Sequence, residues 1–415
     1  MQGMRISIVS SSDNGGAGAA CYRLAEGLLQ HEAMDVTLVV GSKSRNKNFI
    51  RTAKRPQDGL QNLFRSAWAL AKRKISSPGS DAIQRNLDGD DFVLEVLKHT
   101  APDIVNLHWL GEHFLPYSAI SKIQQPIVWT MHDMWTFTGG CYYAKECRKF
   151  ELGCGTCPAL ETSQGADHTA SDFKKKKNLF EKLKPTFVSP SEWLASEARK
   201  SPTAQNLRVE VIPNAVDTNV FRPCTQQSAR EILNFPQDKL LLLFGGSGGT
   251  EDKRKGFDLL EDALRGLSGL PQCKDVAIVI FGRALTASNL PFPVHFLGEI
   301  RDELLLATVY SACDAMVIPS RMDNLPNTGV ESVACGLPVL AFKVGGLPDI
   351  VKPGINGYLA QEVSGKSLAD ELLLLLSNRP KLKELRLSAR SDAEKRYALA
   401  VQAEAYHRLF QSILQ

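Results

Sequence analysis

The chain has 415 residues, too many for one hydrophobic core, and fits two domains of roughly 200 residues each. At 43% hydrophobic and 23% charged residues it has an ordinary globular composition, and a net charge of +4 is too mild for a dedicated nucleic-acid binder. No segment approaches the roughly 20 apolar residues of a membrane span, and Ile6-Ser7-Ile8-Val9 is too short for a signal-peptide core.

These exclusions set the expectation of a cytoplasmic protein, and nine cysteines, an odd number, fit a reducing compartment. Residues 5–10 read as a first strand, Ser11-Ser12-Asp13-Asn14-Gly15-Gly16-Ala17-Gly18 as a glycine-rich turn, and residues 19–30 as a helix. Such a strand–loop–helix unit brings backbone amides close to an anionic group. The plainer alternative is a tight turn needing glycine for its backbone angles. The loop is not G-x-G-x-x-G, which disfavours a nicotinamide cofactor. Residues 36–40 read as the second strand. Within residues 60–75, Leu60, Leu63, Phe64, Ala67, Trp68, Ala71 and Ile75 share one helical face, and Arg65, Lys72, Arg73 and Lys74 add positive charge. That face either packs into a domain, the favoured reading, or makes a peripheral contact with an anionic membrane.

Ile104-Val105-Asn106-Leu107-His108-Trp109 reads as a strand ending in a His-Trp pair, and residues 126–135 repeat the arrangement with His132-Asp133. A lone histidine is more often a satisfied structural residue. Two at equivalent strand ends, His108 and His132, point to one site. Cys141, Cys147, Cys154 and Cys157 follow as C-x5-C-x6-C-x2-C, an insertion at 141–157. The closing Cys-Gly-Thr-Cys has zinc-knuckle spacing, and four thiolates could close one tetrahedral structural site. Free thiols in a loop, or disulfides in an oxidising compartment, are the alternatives. A catalytic zinc is disfavoured, since a closed four-thiolate site leaves no open position. Residues 174–177 are a lysine run, most simply a solvated helix face. Residues 186–193 read as strand then capped helix, and residues 208–212 as another strand.

The second half opens with a continuous apolar run at 240–244, the mark of a buried parallel strand. A glycine-rich loop and the basic group Lys253-Arg254-Lys255-Gly256 follow. By themselves these read as a solvated loop. Residues 276–281 and 294–298 are further strands, and residues 302–311 a helix. Ala315-Met316-Val317-Ile318 is a strand closed by Pro319. Asn327 and Thr328 start a helix, which Gly336 and Pro338 end, and Val339-Leu340-Ala341-Phe342 is the next strand. Asp323 therefore sits in a loop at a strand's carboxyl end, and Glu331 near the first turns of the following helix. Ligands of open α/β sheets bind at that end, and free amides at a helix start favour phosphate. The bland alternative is a surface loop with a helix carboxylate favoured by the macrodipole. Residues 388–414 are helical in pattern.

Asp323 and Glu331, with seven residues between them, together with Gly336-Leu337-Pro338-Val339, Gly345-Gly346-Leu347-Pro348-Asp349 and Asn356-Gly357-Tyr358-Leu359, resemble retaining GT-B glycosyltransferases, glycosyltransferase family 4-like. That large family builds bacterial polysaccharides and glycolipids, and the cysteine insertion resembles a colanic-acid-type subgroup. The family usually has Glu where Asp323 stands, and Gly-Phe-Gly where Asn324-Leu325-Pro326 stands.

The resemblance implies an α/β GT-B fold, two Rossmann-like doubly wound domains facing a central cleft. It places an acceptor-side domain at 1–213, with Pro213-Asn214-Ala215-Val216-Asp217 as the interdomain crossing. A nucleotide-sugar domain follows at 214–387, and a helix at 388–415 crosses back. It implies a hexosyltransferase acting on a UDP- or GDP-linked sugar, metal-independent, with no cofactor beyond a candidate structural zinc at Cys141, Cys147, Cys154 and Cys157. Gly15, Gly16 and Gly18 face the donor pyrophosphate and acceptor, and His132 lies beside the transferred sugar. Lys255, before Gly256, clamps phosphate; the family's arginine falls at Thr250, and Arg254 is the substitute. Asn327 and Thr328 offer amides, Glu331 takes the ribose hydroxyls, and Asp323 positions the sugar. Strand ends near Gly282 and Gly298 form the base pocket. The expected acceptor is a lipid-linked saccharide or oligosaccharide of surface polysaccharide or lipopolysaccharide synthesis, at the inner face of the plasma membrane. A soluble acceptor, or a non-catalytic nucleotide-sugar binder of the same fold, are the alternatives.

Overall fold

The computed structural model describes residues 3–53, 91–111, 114–160, 167–246, 248–283 and 290–415. The basic amphipathic segment at 60–75 lies outside them. The chain divides into two compact units, Met1–Ile212 with Tyr406–Gln415, and Pro213–Ala405.

The first unit is built on strands β1 (Met4–Ser12), β2 (Met34–Ser42), β3 (Ile50–Thr52), β4 (Ile104–Leu107), β5 (Ile127–Thr130), β6 (Thr186–Ser189) and β7 (Val209–Val211). They form one parallel sheet in the order β3-β2-β1-β4-β5-β6-β7. The second unit carries β8 (Leu240–Gly246), β9 (Val276–Gly282), β10 (Val294–Gly298), β11 (Ala315–Ile318), β12 (Val339–Phe342) and β13 (Gly357–Ala360). Its parallel order is β10-β9-β8-β11-β12-β13. Both sheets reverse their strand order once, beside β1 and beside β8, as doubly wound folds do.

The unbroken apolar runs of β8 and β9 follow from burial on both faces. Leu240, Leu242 and Phe244 point to one side, where helices Phe257–Leu267 and Gly365–Leu376 cover them. Leu241 and Leu243 point to the other, beneath helices Glu303–Ala312 and Asn327–Ala334. This period-2 alternation gives the second unit two apolar layers around one sheet.

The helical pattern near the end of the chain is two helices, Arg379–Arg396 and Leu399–Leu414. The break has a physical cause. Val216 N donates to Tyr397 O at 2.8 Å, and Val216 bridges Ala398 in parallel, so the backbone pairs sideways there. No helix among the described residues is long and apolar enough to cross a membrane.

Candidate functional site

In the second unit the chemistry gathers where the strand order reverses, beyond the carboxyl ends of β8 and β11. Asp323 is a buried residue, 5% exposed. Its Oδ2 accepts from Lys255 Nζ at 2.6 Å and lies 3.2 Å from Arg254 Nη1. Ser320 Oγ donates to Oδ2 at 3.4 Å, and Asn324 N donates to Oδ1 at 3.1 Å. Burial alone would raise the Asp323 carboxyl, but Lys255, then Arg254, outweigh it and hold the group below the usual carboxylate value.

Arg254 is itself fixed, its Nη2 donating to Asp252 Oδ2 at 2.9 Å and its Nη1 to Met322 O at 3.1 Å. The two cations sit in a short 3-10 turn, Lys253–Lys255, that Asp252 caps by accepting from Arg254 N at 2.9 Å. Gly256 ends the turn with φ +71, and a Cβ there would stand 1.9 Å from Pro319 O. Only glycine lets this loop press against the end of β11. Gly345 is the counterpart from the other side. Its φ is +55, and a Cβ would stand 2.1 Å from Asp323 O. Gly346 N donates to that oxygen at 3.0 Å.

Glu331 is 5% exposed in helix Asn327–Ala334, and its Oε2 accepts from Tyr310 OH at 2.9 Å. Asn327 Oδ1 stands 3.5 Å from Asn214 Nδ2. Thr328 lies against the end of β8, its Cγ2 4.0 Å from where a Gly246 Cβ would be. Thus Asp323, Lys255 and Arg254 meet directly, and Asn327, Thr328 and Glu331 line the helix that follows. This assembly offers two cations, helix-start amides and two buried carboxylates, a set suited to two phosphates and vicinal hydroxyls.

In the first unit, Gly15 opens helix Gly15–Leu29 with φ +74, and Asn14 Oδ1 caps its amide at 2.7 Å. A Cβ on Gly18 would stand 2.7 Å from Ser12 O, so that glycine lets the helix close on β1. Neither Gly15 nor Gly16 has an atom within 4 Å of a would-be Cβ. Asp13, buried beside them, accepts from Ser44 N at 2.8 Å and Arg45 N at 2.9 Å.

The two histidines are one hydrogen-bonded pair, His108 Nδ1 to His132 Nε2, at 2.9 Å. The chain of bonds fixes their protons. Asn106 Nδ2 donates to Val128 O at 3.1 Å and Thr130 Oγ1 at 3.0 Å, and a carbonyl can only accept. The Asn106 Oδ1 therefore faces His108 Nε2 at 3.0 Å, and that nitrogen carries the hydrogen. Burial lowers both histidines, His132 to about 4, and His132 lowers His108 further. Both rings are thus neutral near pH 7. His108 Nδ1 accepts and His132 Nε2 donates.

Cys141, Cys147, Cys154 and Cys157 line one small cavity of about 10 Å³, and none is in a disulfide. Among the described residues, no three of these sulfurs stand within 4.8 Å of one another. Lys176 is buried nearby over the Trp135 ring, 4.0 Å from its centroid, and donates to Thr138 O at 3.0 Å and to Trp135 O. Burial lowers its ammonium to about 7.

Asn106, Tyr310 and Asp252 do positioning work that sequence reasoning passed over. A signal existed for Asn106 alone, a lone amide inside the fully buried strand β4. Tyr310 and Asp252 look in the sequence like any helix tyrosine and loop carboxylate.

Residues 14–220 match the family described as Glycosyltransferase Family 4, and residues 239–378 match Glycosyl transferases group 1. A D-inositol 3-phosphate glycosyltransferase of Xylanimonas cellulosilytica is 32% identical over 207 residues, 45% of this chain and 48% of the relative. One from Streptosporangium roseum is 31% identical over 169 residues, 37% of this chain and 38% of the relative. The chain thus spans about half the length, or less, of these curated relatives. Among solved structures, the sucrose-phosphate synthase of Thermosynechococcus elongatus has TM-score 0.67 at 17% identity, covering 99% of both chains. Anabaena Alr3699/HepE in complex with UDP and glucose has TM-score 0.65 at 17% identity, covering 99% of this chain and 100% of that one. At such identities the likeness is one of fold. With both sheets doubly wound and both halves matched, the chain is a glycosyltransferase family 4 domain followed by a glycosyl transferases group 1 domain, on the GT-B fold.

Proposed function

We propose that this chain is a retaining hexosyltransferase that uses a nucleotide sugar as donor. The observation that carries the reading is the Lys255–Asp323–Arg254 cluster at the strand-order reversal of the second unit, with Glu331 on the helix beyond it. A likeness to a structure holding UDP and glucose supports it. In this reading Glu331 accepts from the ribose hydroxyls. Lys255, Arg254 and the amides of Asn327 and Thr328 take the two phosphates. As the glycosidic bond breaks, charge grows on the departing diphosphate, and fixed cations there stabilise the transition state. Asp323 orients the sugar hydroxyls. Retention follows from attack on the face the diphosphate leaves, with a phosphate oxygen accepting the acceptor's proton. The same reading assigns Gly15 and Gly16 to the donor and acceptor, and His132 to a sugar hydroxyl.

Protein cations at the diphosphate make the reaction metal-independent. One Asp-x-Asp sequence, Asp88-Gly89-Asp90, lies outside the described residues, so this point rests on Lys255 and Arg254. We place the acceptor among lipid-linked or oligosaccharide intermediates of surface polysaccharide, with a chain of the colanic-acid-type subgroup working at the membrane's inner face. A second reading has specific support. The inositol-phosphate and sucrose-phosphate names of the similar proteins point to a soluble small-molecule acceptor.

The test is donor consumption, with and without acceptor, across UDP-, GDP- and ADP-hexoses. Release of a nucleoside diphosphate from one of them supports the enzyme. Tight binding without turnover supports a non-catalytic binder. Retention on anionic vesicles separates a lipid-linked acceptor from a soluble one.

A further inference from the structure

We propose that Cys141, Cys147, Cys154 and Cys157 bind one zinc ion in a closed, structural four-thiolate site that clips the segment after His132 in place. This goes beyond the transferase reading and does not rest on it.

The four cysteines converge on one cavity of about 10 Å³, close to the space of a single water-sized atom. All four are half-buried and none is disulfide-bonded, so the sulfurs are available as ligands. Burial pushes the metal-free Cys141 and Cys154 thiols up, so their protons leave only as a metal takes the sulfurs. Gly139 N donates to Cys154 Sγ at 3.2 Å, the amide-to-sulfur bond that steadies a negative sulfur. A Cβ on Gly139 would stand 3.0 Å from Cys154 Cβ, so glycine is what allows this approach. Cys154 and Thr156 both hold left-handed backbone, at φ 60 and φ 47, with Gly155 between them at φ 93. The Cys-Gly-Thr-Cys turn is tightly wound, and both of its cysteines line the same cavity.

That turn is also seated on a helix start. Gly155 N donates to Thr169 Oγ1 at 3.0 Å, and Cys157 N donates to the Asp167 carboxylate that caps helix His168–Leu183. The positive end of that helix favours negative sulfur. The buried Lys176 lies among the electrostatic neighbours of Cys141 and Cys154, and its charged form lowers both thiols.

No three of the sulfurs are yet within 4.8 Å of one another. Zinc–sulfur bonds of about 2.3 Å would draw them to roughly 3.8 Å apart, an adjustment of loop side chains around the cavity. On binding, the thiols release their protons to solvent and the sulfurs coordinate the ion. Zinc is the favoured metal, because four soft sulfurs in a closed tetrahedron suit it and no open position remains for chemistry.

The site would have a consequence for its neighbour in sequence. Residues 134–141 run directly from His132 to the first cysteine. They are held by Met134 N to Tyr142 O at 2.8 Å, Ser201 Oγ to Phe137 O at 2.8 Å and Thr138 Oγ1 to Cys141 O at 2.9 Å. A metal at Cys141 anchors the far end of that segment.

The test uses the full chain purified without chelators. Elemental analysis is expected to find about one zinc per chain. Exchange with cobalt(II) is expected to give sulfur-to-metal charge-transfer absorption and the d–d bands of a tetrahedral centre. The Cys154→Ser/Cys157→Ser variant should lose the ion, while Cys224→Ser, at an exposed cysteine away from the cavity, should keep it. Wild-type protein that holds no metal after incubation with zinc and desalting, or shows no cobalt–thiolate absorption, overturns the proposal. So does a disulfide found between any two of the four. These wild-type readouts stand even if the double variant fails to fold.

Discussion

Lys255 Nζ stands 2.6 Å from Asp323 Oδ2, so the lysine assigned to phosphate is the ion-pair partner of the carboxylate assigned to sugar. Both atoms are largely buried, and Arg254 closes the triangle at 3.2 Å. A diphosphate must compete with Asp323 for these cations, so the two roles are separable by substitution. Asp323→Asn is expected to lower transfer by about 10- to 100-fold, the worth of a hydrogen bond to a charged group. Its affinity for the bare nucleoside diphosphate should be unchanged or tighter. Lys255→Ala should lose both, with kcat down about 100- to 1000-fold. Steady-state kinetics beside titration with the diphosphate checks the split.

The same pair gives a pH dependence. Asp323 is held below its ordinary carboxyl value, so the native state favours its charged form. Its contribution to stability is complete above the unfolded value, near 3.9, and is lost as pH falls through the depressed native value. Wild type should therefore lose more stability than Asp323→Asn between about pH 5 and pH 2. Urea midpoints across that range read it.

Glu331 and Tyr310 make a second separable pair, 2.9 Å apart. Glu331→Gln should weaken nucleotide binding, with ribose and 2′-deoxyribose nucleotides becoming equal ligands. Tyr310→Phe keeps the carboxylate but removes one bond to it, so binding should weaken only about 3- to 10-fold. Competition between the two nucleotides is the measurement.

His132 is predicted to be neutral, with its hydrogen on Nε2, down to about pH 5. Its native value is lowered to about 4, so activity between pH 5 and 8 should show no histidine step from this pair. Nitrogen-15 NMR of labelled histidines reports the tautomer directly. Asn106→Leu removes the acceptor that fixes His108, and the two tautomers of His132 should then mix.

Gly256→Ala and Gly345→Ala test how tightly the site's backbone is drawn together. Each puts a Cβ about 2 Å from a carbonyl oxygen, at positive φ. Each should cost about 2 to 4 kcal/mol of stability, and transfer should fall with it. Gly16→Ala, where the Cβ meets open space, should leave stability within about 0.5 kcal/mol. Thermal and urea unfolding compare the three.

The doubly wound halves were legible because parallel strands buried on both faces must be apolar throughout, as Leu240–Gly246 and Val276–Gly282 are. The loop with Asp323 was legible for a similar reason, since Pro319, Pro338 and Gly336 punctuate strand and helix on either side. What the sequence hid was partnership. Nothing in Lys255 or Asp323, 68 residues apart, announces that they touch. Nor does spacing reveal that Tyr310 reaches Glu331, or that His108 hands its proton order to His132. The helical pattern over 388–414 also hid the break at Tyr397-Ala398, because that break comes from pairing with distant Val216. Local pattern records which face is buried; contacts between distant segments come only with the fold.

Calorimetric titration of UDP- and GDP-hexoses into wild type, Lys255→Ala and Glu331→Gln tests the central claim most directly. One site for one nucleotide class is expected in the wild type, weakened at least about 10-fold in each variant, with both variants still folded. Wild-type protein that binds no sugar nucleotide, or variants that bind it as the wild type does, would contradict it.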